Sequence, residues 1–347
     1  MYFYLPIEVQ TDILKCFDYN QLVTLRLTNG YFNLLINENQ YKLALKEFNK
    51  IEIELVNNYF QPMKEIDINK GLYNFNLDDK LKKKWEEAII KRIPLYLHYN
   101  DNDLKNSFIR LQKKGHLISS PQLFYLKLPS FPQNIKEMLI IRFWLEQLFN
   151  CSFEYSKYYC AIFNYELIKL LFENTCIPLK FNSKIVFIKN YNIRFKELDF
   201  VKENIKITEN LTINLFNERI DKLNCYKTLL ELLSKGRNLY PYICITESHY
   251  SRLYEMIEEY ITTSFDCSNF VNKIRFNNSR WRHFNLSEKA KNIQIKEAIN
   301  YFDGSNIKFI KYEIVNIYNP KEVKFLIEYK ETIVNRSIFD FEIKRIN

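Results

Sequence analysis

From Ile93 onward the chain alternates between runs of helical period and short runs of strand period, and this alternation restricts its fold more than any other feature. Strand-type runs are Ile93–His98, Leu123–Leu128, Ser152–Tyr155, Lys184–Ile188, Leu211–Phe216, Tyr242–Thr246 and Lys273–Asn277. Helix-type runs are Ser107–Lys113, Ile135–Leu148, Tyr165–Asn174, Cys225–Lys235 and Tyr250–Ile261. A helix followed by a strand every 30 to 40 residues or so is how stacked α/β units announce themselves. No strict leucine-rich consensus is present. The expected domain is therefore an irregular helix–strand repeat, leucine-rich-repeat-like or solenoid-like. The last stretch is richer in strand signals, at Ile307–Tyr312, Val315–Tyr318, Val323–Tyr329 and Phe339–Lys344, with Gly304 and Asn319-Pro320 as breaks. Those strands are expected to pair antiparallel.

The first residues read differently. Pro6 suits a first helical turn, where its missing N–H costs nothing. Leu5, Val9, Ile13 and Cys16/Phe17 recur at spacings of three and four, which is one helical face. Asp18-Tyr19-Asn20 is a polar break in which Asn20 can cap a second helix carrying Leu22, Val23 and Leu25. Asn29-Gly30 reads as its stop. A third helix is expected from about Tyr31, burying Phe32, Leu35, Leu43, Ala44 and Phe48. Residues 49–92 read as a connecting segment with short β-like pieces near Ile66 and Tyr73. Asp78-Asp79 then opens a helix over Lys80–Ile90, its acidic residues favourably placed at the start.

The run Leu5-Pro6-Ile7-Glu8-Val9-Gln10-Thr11-Asp12-Ile13-Leu14, followed by Phe17, Leu22, Leu25, Arg26, Phe32 and Leu35, resembles an F-box. The match is ungapped. The resemblance implies a three-helix module, residues 1–48, that docks onto a Skp1-like adaptor and through it onto a cullin. Leu5, Pro6, Ile13 and Leu14 would form the docking surface, with Leu22, Leu25 and Phe32 mainly supporting it. A module of about 45 residues buries little core alone, so its leftover apolar surface suits a partner. Three departures stand out. Thr28-Asn29 replaces a common Val-Cys pair, Phe32 replaces the usual Trp, and Phe17 replaces a Leu. Thr28 and Asn29 are expected to put polar atoms near the module's core. Ile141-Arg142-Phe143-Trp144-Leu145, Phe149-Asn150, Ile162-Phe163-Asn164, Leu170-Leu171-Phe172 and Pro178-Leu179 resemble the expanded F-box families of plant-parasitic nematodes. In F-box proteins the C-terminal domain binds the protein to be ubiquitinated. Residues 93–347 would be that target-recognition domain here, its target unknown.

Composition narrows the remaining classes. The chain has 347 residues, 47% hydrophobic and 26% charged, which is globular. The net charge of +9 is spread as single Lys residues, so nucleic acid is not the expected partner. Seven scattered cysteines without a C-x-x-C pair suit reduced thiols and not a disulfide frame or zinc site. The N-terminus lacks a signal-peptide pattern, and no apolar run approaches the roughly 20 residues of a membrane span. The expected location is cytoplasm or nucleus. No P-loop, G-x-G-x-x-G, H-E-x-x-H or G-x-S-x-G occurs, and the four His (His98, His116, His249, His283) are scattered. The expectation is an adaptor and not an enzyme, with no catalytic residue, no cofactor and no metal.

One basic–aromatic cluster offers a different class. Arg275, Arg280, Trp281 and Arg282, with Phe276 and Phe284, could stack on bases or clamp a phosphate. The plainer reading puts Phe276 in the core from a strand and the arginines in solvent. An RNA- or phosphate-binding protein is the alternative.

Overall fold

A computed structural model of the chain describes all residues except 1–4, 56–61, 72, 74, 99–106, 114–120, 160, 176–178, 190–194, 216–221, 247–250, 278–283, 300–305, 335 and 347. The architecture is mixed α/β with mostly antiparallel strand pairing. The chain divides into two compact units. The first comprises residues 1–156, 161–183 and 203–206, and the second residues 157–160, 184–202 and 207–347. The division does not fall at residue 48 or 93. The helical module lies within the first unit.

The first unit opens with α1 (Ile7–Leu14), α2 (Tyr19–Arg26) and α3 (Gly30–Asn39), closed by a 3-10 turn at Gln40–Lys42. Then comes β1 (Lys46–Leu55), so Phe48 lies on a strand and not on the expected third helix. β2 (Lys64–Glu65) and α4 (Asp79–Ile90) follow, the latter capped by Asp78, which accepts from Leu81 N at 2.7 Å. Next are β3 (Tyr96–Leu97), β4 (Ser107–Gln112), β5 (Leu123–Leu126), α5 (Ile135–Phe149), β6 (Cys151–Tyr158), β7 (Ile162–Phe163) and α6 (Tyr165–Leu171). β3 and β7 form a separate two-stranded ribbon; the other strands of the unit run in the order β2-β5-β4-β1-β6.

Residues 107–113 were expected to be helical, but β4 is a strand because β1 gives it a partner. Ile53 stands opposite Ile109, and Ile51 opposite Leu111, all buried. On the other face Glu52 stands opposite Arg110 and accepts from its Nε at 2.7 Å. α4, α5 and α6 pack together around Trp85, whose Nε1 donates to Leu170 O at 3.3 Å.

The apolar residues of Ile141–Leu145, Phe149, Ile162–Phe163 and Leu170–Phe172 are mostly core, and Pro178 lies outside the described residues. Ile141, Leu145, Phe163 and Leu171 have no exposed surface. Arg142 is buried as well. Its guanidinium lies 3.7 Å from the centroid of Phe75 and 4.7 Å from that of Phe172, and Nη1 donates to Leu171 O at the end of α6. Two ring faces and the negative end of a helix therefore take the place of water around this cation.

The remaining elements are β8 (Phe181–Lys189), α7 (Phe195–Asn204), β9 (Ile205–Asn214), α8 (Lys222–Ser234), β10 (Ile243–Thr246), α9 (Ser251–Thr263), β11 (Lys273–Asn277), β12 (Lys291–Ile299), β13 (Asn306–Val315), β14 (Lys324–Thr332) and β15 (Ile338–Ile346). The division between units crosses β6, β8, α7 and β9. In the second unit the order is β9-β10-β11-β15-β14-β13-β12. β9, β10 and β11 pair parallel, joined through α8 and α9, and this is where the expected helix–strand alternation holds. β11 to β15 and β15 through β12 pair antiparallel, as expected of the C-terminal strands. Ile307–Tyr312 and Val315, expected on two strands, belong to one continuous β13. Tyr254 of α9 meets Tyr312 of β13 hydroxyl to hydroxyl at 2.8 Å, fixing the helix on the buried face.

Candidate protein-docking site

The apolar stripe of α1 faces outward. A face of Leu5, Val9, Ile13 and Cys16 would ordinarily be the one that packs. Instead the buried residues of α1 are Gln10, Thr11 and Leu14. Val9 is 42% exposed, Ile7 50% and Leu5 36%; Pro6 and Cys16 are exposed, and Ile13 is half-buried. Burying a glutamine and a threonine is costly unless their polar atoms are satisfied. They are. Gln10 Nε2 donates to Leu5 O at 2.7 Å, Gln10 Oε1 accepts from the Tyr31 hydroxyl, and Thr11 Oγ1 donates to Ile7 O at 2.8 Å.

The Gln10–Tyr31 bond also sets what lies beside α1. It pins the start of α1 to the start of α3. Val9 and Ile13 lie outward of Gln10 on their helix, and Leu34 lies outward of Tyr31 on its own. Leu34 is 64% exposed and Tyr31 38%. Val9, Ile13, Tyr31 and Leu34 therefore flank one seam between α1 and α3, with exposed Leu5, Pro6 and Ile7 at the start of α1, an apolar face on a module with little core of its own.

That core is Leu14, Leu22, Leu35, Ile36 and Leu43, with Phe17, Leu25, Phe32 and Ala44 packed against it. Leu14, expected on the docking surface, is fully buried and belongs to this core. Leu22 is also core, and Leu25 and Phe32 are half-buried supports. Tyr31 and Leu34 are the face residues absent from the sequence expectation, which placed Val9 on the helix face but not on the docking surface. The buried Gln10 was the available signal, because it displaces the packing face away from Val9. Local capping also differs from expectation. Asp18, not Asn20, caps α2 in a reciprocal box with Gln21, both bonds at 2.9 Å. Thr28 and Asn29 are exposed and lie outside the core. Asn29 caps α3 by accepting from Phe32 N at 3.0 Å, and Thr28 Oγ1 donates to Leu25 O at 2.7 Å.

A cleft of about 250 Å³ lies behind the module, lined by Leu22, Ile36, Leu43, Phe48, Leu111 and Trp144 among others. Cys151 borders it, and burial pushes that thiol up to about 12, with Lys46 opposing only in part. A thiol so displaced is a packing group and not a nucleophile.

Arg280, Trp281 and Arg282 lie outside the described residues, as do His116, His249 and His283. Arg275 is on β11 and is already paired, with Nη2 donating to Asp340 Oδ1 at 3.1 Å. Asp340, at φ 53° on a bulge in β15, holds Lys330 with its other oxygen at 2.7 Å. Burial alone would raise the Asp340 carboxyl; the two cations outweigh it and hold the group below the usual range. Phe276 faces the core from the strand. Among the described residues no group of three or more His, Cys, Asp or Glu is placed to hold a metal ion, and no helix is long and apolar enough to cross a membrane.

Residues 66–216 match the family model of a domain of unknown function, DUF8381. The matched segment contains the core residues around Arg142 and begins well after the helical module; no F-box model is matched. No curated protein and no solved structure matches the chain.

Proposed function

We propose that this chain is a non-catalytic substrate-recognition subunit of a Skp1–cullin–F-box ubiquitin ligase. The observation that carries this reading is the outward apolar stripe of α1 beside Leu34, held open by the partly buried Gln10–Tyr31 bond. A helix that buries a glutamine while leaving Ile7 and Val9 in water keeps its apolar side for something else. The Leu5-Pro6-x-Glu8 opening supplies the resemblance that names the partner, a Skp1-like adaptor. The second unit would recruit the target, with the parallel β9–β10–β11 run as the irregular repeat of the recognition domain. The chain's task is then proximity: it raises the local concentration of a target near a charged conjugating enzyme. The cytoplasm or nucleus is where such a complex works.

The test is capture of purified Skp1 by the chain and by a Val9→Glu/Leu34→Glu double variant. Both residues are exposed, so the substitutions leave the core intact. Capture by the wild type and loss in the variant is expected. No capture by either, or equal capture by both, overturns the proposal.

A further inference from the structure

β12 ends the strand order of the second unit, and all nine of its residues are exposed. Among the described residues it pairs on one side only, with β13. Every second residue of an edge strand turns its N–H and C=O toward a vacant flank. Proteins usually blunt such an edge with proline, a short strand, inward charges or a bulge. Here a bulge lies at the beginning, where Asn292 has φ 53° and the register shifts between Lys291 and Gln294, and the strand's charges are Lys291, Lys296 and Glu297. From Gln294 to Ile299 the register is regular, and there is no proline.

This edge also has a sticky face. Ile293, Ile295 and Ile299 are 46%, 57% and 62% exposed and alternate along one side of the strand. Ile295 stands opposite Ile310, which is 5% exposed and itself stands opposite Tyr329. Ile295 therefore continues a buried face past the point where cover stops, while Ile299 stands opposite exposed Asn306.

We propose that β12 is a strand-addition site, and that its occupant is an extended segment of another protein pairing antiparallel to Ile293–Ile299. The side already paired shows what β12 asks of a neighbour. There Ile310 meets Ile295, and Lys308 reaches Glu297 at 3.5 Å. A segment on the free side meets the same side chains. It carries apolar residues opposite Ile293, Ile295 and Ile299, a basic residue opposite Glu297 and an acidic residue opposite Lys296. A second copy of β12 fits poorly. Two-fold pairing centred on Lys296 or on Glu297 sets like charges against each other, pairing centred on Ile295 or on Ala298 sets Glu297 against an isoleucine, and pairing centred on Gln294 carries the bulge at Asn292 into the ladder. The recognised class is thus an alternating apolar segment with adjacent basic and acidic residues, bound by backbone pairing. The site rests on the target-recognition reading for its purpose but not for its chemistry.

The probe is a fluorescently labelled peptide, Val-Thr-Lys-Glu-Val-Thr-Val, titrated with the full chain by anisotropy. Saturable binding is expected. It falls at least tenfold when alternate peptide amides are N-methylated, falls when Lys and Glu exchange places, and is lost in Ile295→Lys, an exposed position whose change leaves the fold intact. Amide hydrogen exchange should slow in residues 293–299 on binding. No binding up to about 1 mM peptide, equal binding of the N-methylated peptide, or protection confined to another segment overturns the site. Skp1 capture is measured on the same samples. Loss of peptide binding with capture intact, and the converse, separate this inference from the ligase reading.

Discussion

On the proposed docking, polar substitution of the outward face abolishes adaptor binding without unfolding the module. The perturbation is Leu5→Ser, Ile7→Ser, Val9→Ser and Leu34→Ser in one chain. Their exposures, 36%, 50%, 42% and 64%, together equal the surface of about two fully exposed side chains. Burying a large aliphatic side chain is worth about 1.5–3 kcal/mol, so a partner covering this face gains about 3–6 kcal/mol from these four residues. At 1.4 kcal/mol per factor of ten, the variant binds about 100- to 10,000-fold more weakly. Incomplete burial at the interface rim points to the lower end. None of the four belongs to the module's core cluster, so the melting profile should shift by no more than ordinary surface changes do, within about 0.5 kcal/mol each. Titration calorimetry with purified Skp1 reads the affinity, and circular dichroism reads the fold. A folded variant that binds within about fivefold of the wild type refutes the assignment of this face, because the area argument then has no term left to explain binding. Leu14→Ala serves as contrast. It lies in the core at 0% exposure, so it should cost about 2–5 kcal/mol of stability and affect binding only through unfolding.

Arg142→Ala should cost about 3–5 kcal/mol in urea denaturation, since it strips a donor from Leu171 O and a cation from two ring faces, whereas apolar Arg142→Met should cost less than half as much; equal costs would show that only volume matters there. Asp18→Ala breaks the reciprocal cap of α2 and should lower stability by about 1 kcal/mol by thermal melt, with Asp18→Asn near wild type; no change in either would remove the cap from the account. Burial raises the Cys151 and Cys225 thiols to about 12 and 11, so each holds less thiolate at any given pH than a free cysteine does. Alkylation at pH 8 followed by mass spectrometry should therefore mark exposed Cys16 while sparing those two until the chain unfolds, and labelling of Cys151 at the rate of Cys16 would contradict it.

What the residues reveal before folding depends on whether the deciding partner is local. α4, α5, α8 and α9 are long and strongly periodic, and β10 and β11 are short apolar runs between polar breaks; all were legible. β1 was not, because Leu43, Ala44 and Phe48 continue a helical spacing past Asn39. Its alternation is also hidden, since Glu52 and Glu54 are buried along with Ile51 and Ile53. What makes Glu52 acceptable inside is Arg110, which lies 58 positions away. The same partner decides β4, whose six residues fit either period. β12 was passed over because its isoleucines have no core to point to. α7 was missed as well, because its buried Leu198, Phe200 and Val201 span only about one turn. At the candidate site the stripe of α1 was legible but its direction was not. Gln10 finds its partner in Tyr31, on another helix, and that non-local bond turns the stripe outward.

The junction behind the module has a mechanical consequence. Only Leu43, Ala44 and Leu45 separate the 3-10 turn ending at Lys42 from the start of β1, and Leu43 is itself packed into the module. Lys46 N is then tied to Asn150 O at 3.3 Å, at the end of α5. Such a joint has no swivel. Flexible tethers let a docked body sweep a volume set by their length; this one works as a splint, so whatever grips the helices also sets the direction in which the first unit projects. Slack introduced between Leu43 and Lys46 would leave the grip untouched and spoil the aim.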